Sequence, residues 1–167
     1  MKKYILIFSI LAILTACDKN NEEAIVDFDL FFTIVDQDGN DLLNPSTENS
    51  IEVHKIEIYH LKNGEYIRLY NNTSSGRNAY SLREPEAGEK TGYILGIALS
   101  VYEEYEKNKS VTVIKWNENE SDTIISTITT HGNITGVYEF TYNNISDEDL
   151  EKVGYRTYKL VKERKGE

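Results

Sequence analysis

Ile25-Val26-Asp27-Phe28-Asp29-Leu30-Phe31-Phe32-Thr33-Ile34-Val35 is the stretch on which the reading of the fold turns. Val26, Phe28, Leu30, Phe32 and Ile34 fall on every second position, so in an extended chain they line one face while Asp27, Asp29, Phe31 and Thr33 line the other. That alternation is the mark of a strand with one buried face. The run closes on Asp36-Gln37-Asp38-Gly39-Asn40, a cluster of turn formers that ends it.

Downstream, the same pattern recurs. Residues 50–61 form a second strand, with Ile51 and Val53 out of step with Ile56 and Ile58, so a bulge is expected at His54-Lys55. Asn63-Gly64 then joins it to a strand at 65–70 as a tight hairpin, because both turn positions need positive φ. Residues 71–78 are the most polar loop. Tyr80-Ser81-Leu82 reads as a short strand, and the apolar run 91–101 as a central strand covered on both faces. Four further strands are expected at 110–116, 122–130, 134–142 and 154–161. One short helix is expected at 146–153, where Ser146-Asp147-Glu148-Asp149 has the form of a capping box and Gly154 could end it. The fold class is therefore all-β, an antiparallel β-sandwich of about eight strands over residues 25–162, followed by a frayed tail at 163–167.

The segment Asp36-x-Asp38-Gly39-Asn40-x-Leu42 between two strands resembles the opening of transthyretin-like and carboxypeptidase-regulatory-like sandwiches, and departs from their pattern at Asn44-Pro45. The resemblance implies a transthyretin-like or immunoglobulin-like sandwich and carries no function.

The N-terminus is of another kind. Lys2 and Lys3 precede an apolar run too short to span a bilayer, and the run closes on Leu14-Thr15-Ala16-Cys17. These residues resemble the lipobox of bacterial lipoproteins. The resemblance implies a signal peptide at 1–16, cleavage between Ala16 and Cys17, and acyl chains such as palmitate on Cys17 that hold the protein on a membrane. Residues 17–24 would be the lipidated cysteine and a disordered tether. Glu22-Glu23 close behind the cysteine resemble the surface-export signals of Bacteroidetes lipoproteins, whereas Asp18 fits the inner-membrane retention rule of enteric bacteria; the expected location is the cell envelope, on the outer membrane, with its face open.

Of 18 basic and 28 acidic side chains, removal of Lys2 and Lys3 leaves 16 against 28, a formal charge of −12 on the mature chain. That excludes nucleic acid as a partner and electrostatic binding to anionic lipid. Cys17 is the only cysteine, so the domain has no disulfide and no thiol nucleophile.

Chemistry-bearing patterns are sparse. His54, His60 and His131 lack paired-ligand spacing, and no nucleophile elbow, zinc-protease or phosphate-loop motif is present. No catalytic residue, metal or cofactor is expected. Asp36, Asp38 and Asn40 could offer calcium oxygen ligands, but positions six and twelve of an EF-hand loop counted from Asp36 are Asp41 and Thr47, and a tight turn fits the stretch better. Tyrosine is abundant, with twelve residues. Tyr66, Tyr70, Tyr80 and Trp116 are the candidates for a glycan-stacking platform, against the alternative that they simply pack on the sheet. Asp122-Thr123-Ile124 resembles the sequence at which Bacteroidetes O-glycosylate exported proteins, which would place a sugar on Thr123. The expected function is a membrane-anchored, non-catalytic binding or accessory module for a protein partner or glycan, with a structural or adhesin-type assembly subunit as the alternative and a small enzyme behind both.

Overall fold

The computed structural model describes residues 25–71, 78–89, 92–103, 105–132 and 134–163. The signal, Cys17, the tether and most of the polar loop and tail expected above lie outside these residues.

Among the described residues twelve strands form two sheets: β1 (Ile25–Asp27), β2 (Asp29–Val35), β3 (Glu57–Lys62), β4 (Glu65–Leu69), β5 (Tyr80–Arg83), β6 (Ile94–Ala98), β7 (Lys109–Lys115), β8 (Ser121–His131), β9 (Ile134–Tyr142), β10 (Ile145–Ser146), β11 (Glu151–Gly154) and β12 (Thr157–Val161). The larger sheet runs β1-β9-β8-β7-β3-β4, with β10 pairing farther along β9; the smaller runs β11-β12-β2-β6-β5. All neighbours are antiparallel except β1 with β9 and β12 with β2. The architecture is the all-β sandwich the alternation predicts.

Its core follows from that alternation. On β2, Leu30, Phe32 and Ile34 are fully buried between the sheets, while Asp29 is exposed. Facing them from the larger sheet are Ile58, Ile114, Ile124, Phe140 and Tyr142. Phe32 lies 5.8 Å from the Tyr142 ring, and Phe140 meets Tyr158 edge-on at 4.9 Å, so aromatic contacts cross the interface. Every residue of β6 is buried, as expected of a strand with β2 on one side and β5 on the other. Polar links cross the core as well: the buried His60 ring on β3 hydrogen-bonds the Ala98 carbonyl on β6 at 2.9 Å, and the Ser100 N–H just after β6 donates to Thr112 Oγ1 on β7 at 2.8 Å.

The Asn63-Gly64 hairpin forms as read. The two residues have φ of 52° and 76°, and Lys62 pairs with Glu65 across them. Four expectations are corrected. Instead of a bulge at His54-Lys55 there is a 3-10 turn over Val53–Lys55, and the strand begins only at Glu57. The expected helix at 146–153 is absent. Ile145–Ser146 continues as β10 along β9, and Asp147 bonds the Phe140 backbone through its own N–H at 3.0 Å and its carboxylate at 3.3 Å. A helix of two turns has a costly nucleus to form, and sheet pairing outcompetes it here. The single strand expected at 154–161 is two, β11 and β12, joined by a turn at Tyr155-Arg156. Two parallel pairs enter a sheet expected to be wholly antiparallel.

The Tyr155-Arg156 turn has no glycine or asparagine to favour it, yet Arg156 takes φ of 49°. In a residue with a Cβ that conformation costs roughly 1–2 kcal/mol. What offsets it is the side chain: Nε donates to the Asp29 carbonyl at 2.8 Å, Nη1 to the Val137 carbonyl at 3.1 Å, and Nη1 pairs with the Asp27 carboxylate at 3.0 Å. Arg156 therefore ties the smaller sheet to β1 and β9 of the larger. Close approach of β1 to β9 needs Gly136, where a Cβ would lie 2.8 Å from the Asp27 carbonyl oxygen.

Candidate functional site

Strand register decides which side chains share the outer face of the larger sheet. Ile58 and His60 point into the core, so Glu57, Tyr59 and Leu61 point out, together with their partners on β4, Arg68 opposite Tyr59 and Tyr66 opposite Leu61. Tyr70 continues that phase. Val113 and Lys115 extend the face onto β7, Thr123 and Ile125 onto β8, and Thr141 onto β9.

Glu57 organises one side of this face. It accepts a hydrogen bond from the Tyr59 hydroxyl at 2.7 Å and pairs with Arg68 at 2.7 Å and Lys115 at 3.6 Å. The Tyr59 hydrogen bond above all, then the Arg68 and Lys115 charges, holds the Glu57 carboxyl below the ordinary value despite some desolvation. In return, Glu57 raises the Tyr59 hydroxyl. Arg68 also lies 5.0 Å over the Tyr70 ring. Tyr66 and Tyr70 remain 58% and 65% exposed, on or next to a regular strand, with one ring held by a guanidinium. Beyond Val113, the same face carries a shallow depression of about 270 Å³ lined by Thr123, Ile125, Thr141, Asn143 and Asn144. Its lining is hydroxyl, amide and one aliphatic side chain, with no formal charge.

The four rings expected to form a platform are not together. Tyr66 and Tyr70 share the face described. Tyr80 sits on β5 of the other sheet, half-buried and packed against the core. Trp116 is 3% exposed, which removes it from any surface platform. Tyr59 belongs to the face and is marked in the sequence only by its phase with Glu57 and Leu61. A second depression, of about 220 Å³, lies on the smaller sheet where Gly96 and Ser81 leave room beside Phe31.

Trp116 is instead part of a buried polar cluster. Asp122 is 6% exposed and accepts hydrogen bonds from Trp116 Nε1, Tyr142 OH, Asn143 Nδ2 at 2.6 Å and Lys162 Nζ at 2.7 Å. Lys162 also pairs with Glu120 and lies 4.5 Å over the Trp116 ring. Burial works against ionisation of Asp122, but the hydrogen bonds from Lys162, Tyr142 and Asn143 and the Lys162 charge outweigh it and hold the carboxyl below its ordinary value. Burial, then the Asp122 charge, pushes the Tyr142 hydroxyl far up. Both oxygens of the Asp122 carboxylate accept hydrogen bonds, and the cluster joins the ends of β7, β8, β9 and β12. Thr123, the expected glycosylation position, follows it on β8: half-buried between two neighbouring strands, directed to the outer face, with its N–H bonded to Asn143.

At Asp36, both carboxylate oxygens are occupied by the chain itself. Oδ1 accepts from the N–H groups of Asp38 and Asn40, and Oδ2 from Asn40 Nδ2 at 2.8 Å. The Asn40 side-chain bond, then backbone amides, lowers its pKa. The segment is a tight turn. Among the described residues no group of three or more His, Cys, Asp or Glu is placed to hold a metal ion. His54 is exposed, His60 buried, and His131 stacked edge-on against Tyr138, so the histidines do not converge.

Comparison with protein families matches residues 1–17 to the prokaryotic membrane lipoprotein lipid attachment site. The chain thus carries the lipid-attachment signal of a bacterial lipoprotein, anchored through lipid in the cell envelope. Among the described residues no helix is long and apolar enough to cross a membrane. Comparisons of the chain with curated proteins and of its fold with solved structures found no match.

Proposed function

We propose that the protein is a non-catalytic binding module, held by acylated Cys17 on the outer membrane after loss of residues 1–16, that takes a glycan or a protein partner on the outer face of its larger sheet. The observation that carries this reading is the pair of exposed rings, Tyr66 and Tyr70, on the same sheet face as the uncharged hydroxyl and amide depression around Thr123 and Thr141, with β3 and β7 between them. Aromatic faces stack on the apolar CH surfaces of sugars or on partner side chains, and neutral donors and acceptors satisfy the polar groups between them. The most strongly engaged carboxylate, Asp122, is bonded to Trp116, Tyr142, Asn143 and Lys162, a pattern of structural support.

The test is a glycan array and an envelope crosslinking screen with the wild-type protein and a Tyr66→Ala/Tyr70→Ala variant. A ligand retained by wild type and lost by the variant supports the reading. Binding unaffected by the double substitution, or none across both screens, refutes it. Cys17→Ala is expected to release the domain from membranes into the soluble fraction; a variant that stays as tightly bound as wild type would refute the anchor.

A further inference from the structure

Among the sheet edges, β4 differs from the others. β11 is interrupted by a register shift between Lys152 and Gly154. β5 is four residues long, runs into Pro85, and has Arg83 folded onto Glu89. The far edge of the larger sheet is made of β1 and β10, only three and two residues long. Short, bulged or covered edges resist pairing with another chain. β4 is five residues of regular strand with no neighbour on its outer side among the described residues, and it carries Tyr66 at 58% and Ile67 at 44% exposure.

The hairpin fixes which backbone groups that edge offers. In a two-residue hairpin the pair that closes the turn, here Lys62 and Glu65, is hydrogen-bonded, and such pairs alternate along the ladder. His60 with Ile67 is therefore the next hydrogen-bonded pair, so Glu65, Ile67 and Leu69 point their N–H and C=O groups at β3. Tyr66 and Arg68 point theirs outward.

We infer that two copies of this chain pair β4 against β4, antiparallel, about a two-fold axis through Ile67. Outward backbone groups must meet outward groups, and a two-fold normal to the sheet keeps each side chain on its own face, so opposed residues must share strand parity. Three such registers centre within the strand's middle. Centring on Arg68 opposes two guanidinium groups. Centring on Tyr66 runs Arg68 into Gly64 of the turn. Centring on Ile67 sets Tyr66 against Arg68 of the second copy twice over, each a backbone hydrogen-bonded pair with a ring beside a cation, and Ile67 against Ile67 as the close, non-hydrogen-bonded pair. The sequence Glu65-Tyr66-Ile67-Arg68-Leu69 is complementary to itself in that register only, which is why the partner is a second copy. A shared lipid anchor confines the copies to one membrane and raises their effective concentration, so a short edge suffices. The inference goes beyond the ligand-binding reading and stands whether or not the outer face binds a glycan.

Disulfide trapping in the full-length lipidated protein on cells tests it, since Cys17 is acylated and the chain has no other thiol. Ile67→Cys places two thiols on Cα atoms about 4.5 Å apart, within disulfide range. Glu65→Cys alone leaves them roughly 14 Å apart, beyond it, whereas Glu65→Cys mixed with Leu69→Cys brings unlike copies into register. Mild oxidation is expected to yield roughly tenfold more covalent dimer from Ile67→Cys than from Glu65→Cys or Leu69→Cys alone. Adding Arg68→Pro, which removes an outward N–H with no partner among the described residues, should abolish the Ile67→Cys dimer, while Arg68→Ala retains it at a lower level. Equal trapping at positions 65 and 67, no trapping at 67 in membrane-bound protein, or trapping that survives Arg68→Pro would each overturn the inference.

Discussion

Replacing Asp122 with alanine removes the acceptor on which four donors converge, and the structure gives an unequal cost for each. Asn143 is exposed and recovers a bond from water. Lys162 keeps Glu120 and the Trp116 face, so its charge stays compensated. Trp116 and Tyr142 are 3% and 6% exposed and lose the carboxylate to which both donate. A buried donor left unsatisfied costs about 1–3 kcal/mol, so two of them amount to about 3 kcal/mol. With a urea slope of about 1.5 kcal/mol/M, the unfolding midpoint of the domain should fall by about 2 M. Asp122→Asn, which keeps one acceptor oxygen, should lose about half as much. In a double-mutant cycle, Asp122→Ala with Trp116→Phe should be less destabilising than the two single changes combined by about 1 kcal/mol, because one removes the partner of the other. A loss below about 1 kcal/mol for Asp122→Ala, or strict additivity in the cycle, would refute the view that this cluster holds the strand ends together.

Acid should act through the same group. The folded-state pKa of Asp122 lies below its unfolded value, so its contribution is complete above the ordinary carboxylate range and is lost as pH falls through the depressed value; Asp122→Asn should flatten the acid limb of stability, below the ordinary carboxylate range, in urea titrations. Arg156→Ala should cost about 2–3 kcal/mol by removing the bonds to Asp27, Asp29 and Val137. Arg156→Gly should cost about 1 kcal/mol less than alanine, since glycine takes the positive φ without strain; equal losses in denaturant melts would argue against stored strain at this turn. Gly136→Val should push β1 off β9 and speed proteolysis near residue 25 while leaving the remainder of the domain resistant.

Periodicity made the sandwich legible because burial of one face leaves a two-residue rhythm, and β2 displays it without interruption. Asn63-Gly64 was equally clear, since positive φ at both positions has few chemical solutions. The other turns show the limit of that rule. Asn143 and Asn144, with φ of 49° and 67°, connect β9 to β10 by similar chemistry, but the acidic run after them imitates a helix start. Arg156 holds positive φ through bonds to residues more than a hundred positions away in β1 and β2, which no local pattern displays. Trp116 misled for a similar reason. Its flanking polar residues suggest a surface, while the Asp122 acceptor that draws it inward is recognisable only once β7 and β8 are paired. Of the candidate face, Tyr66 and Tyr70 could be read from the hairpin, whereas the Glu57, Tyr59 and Arg68 grouping needed the register.

The Arg156 clamp lies at the N-terminal end of the described residues, the end that follows the lipid-attachment signal. A pull on the chain from its N-terminal side loads β1 first, three residues that pair with β9 and would peel away under modest force by themselves. The guanidinium grips Asp27 and Asp29 on either side of the junction with β2 and binds them to Val137, so the load passes from a marginal strand into both sheets. The N-terminal end of the described fold is in this sense mechanically terminated, since load applied at residue 25 is shared between two sheets.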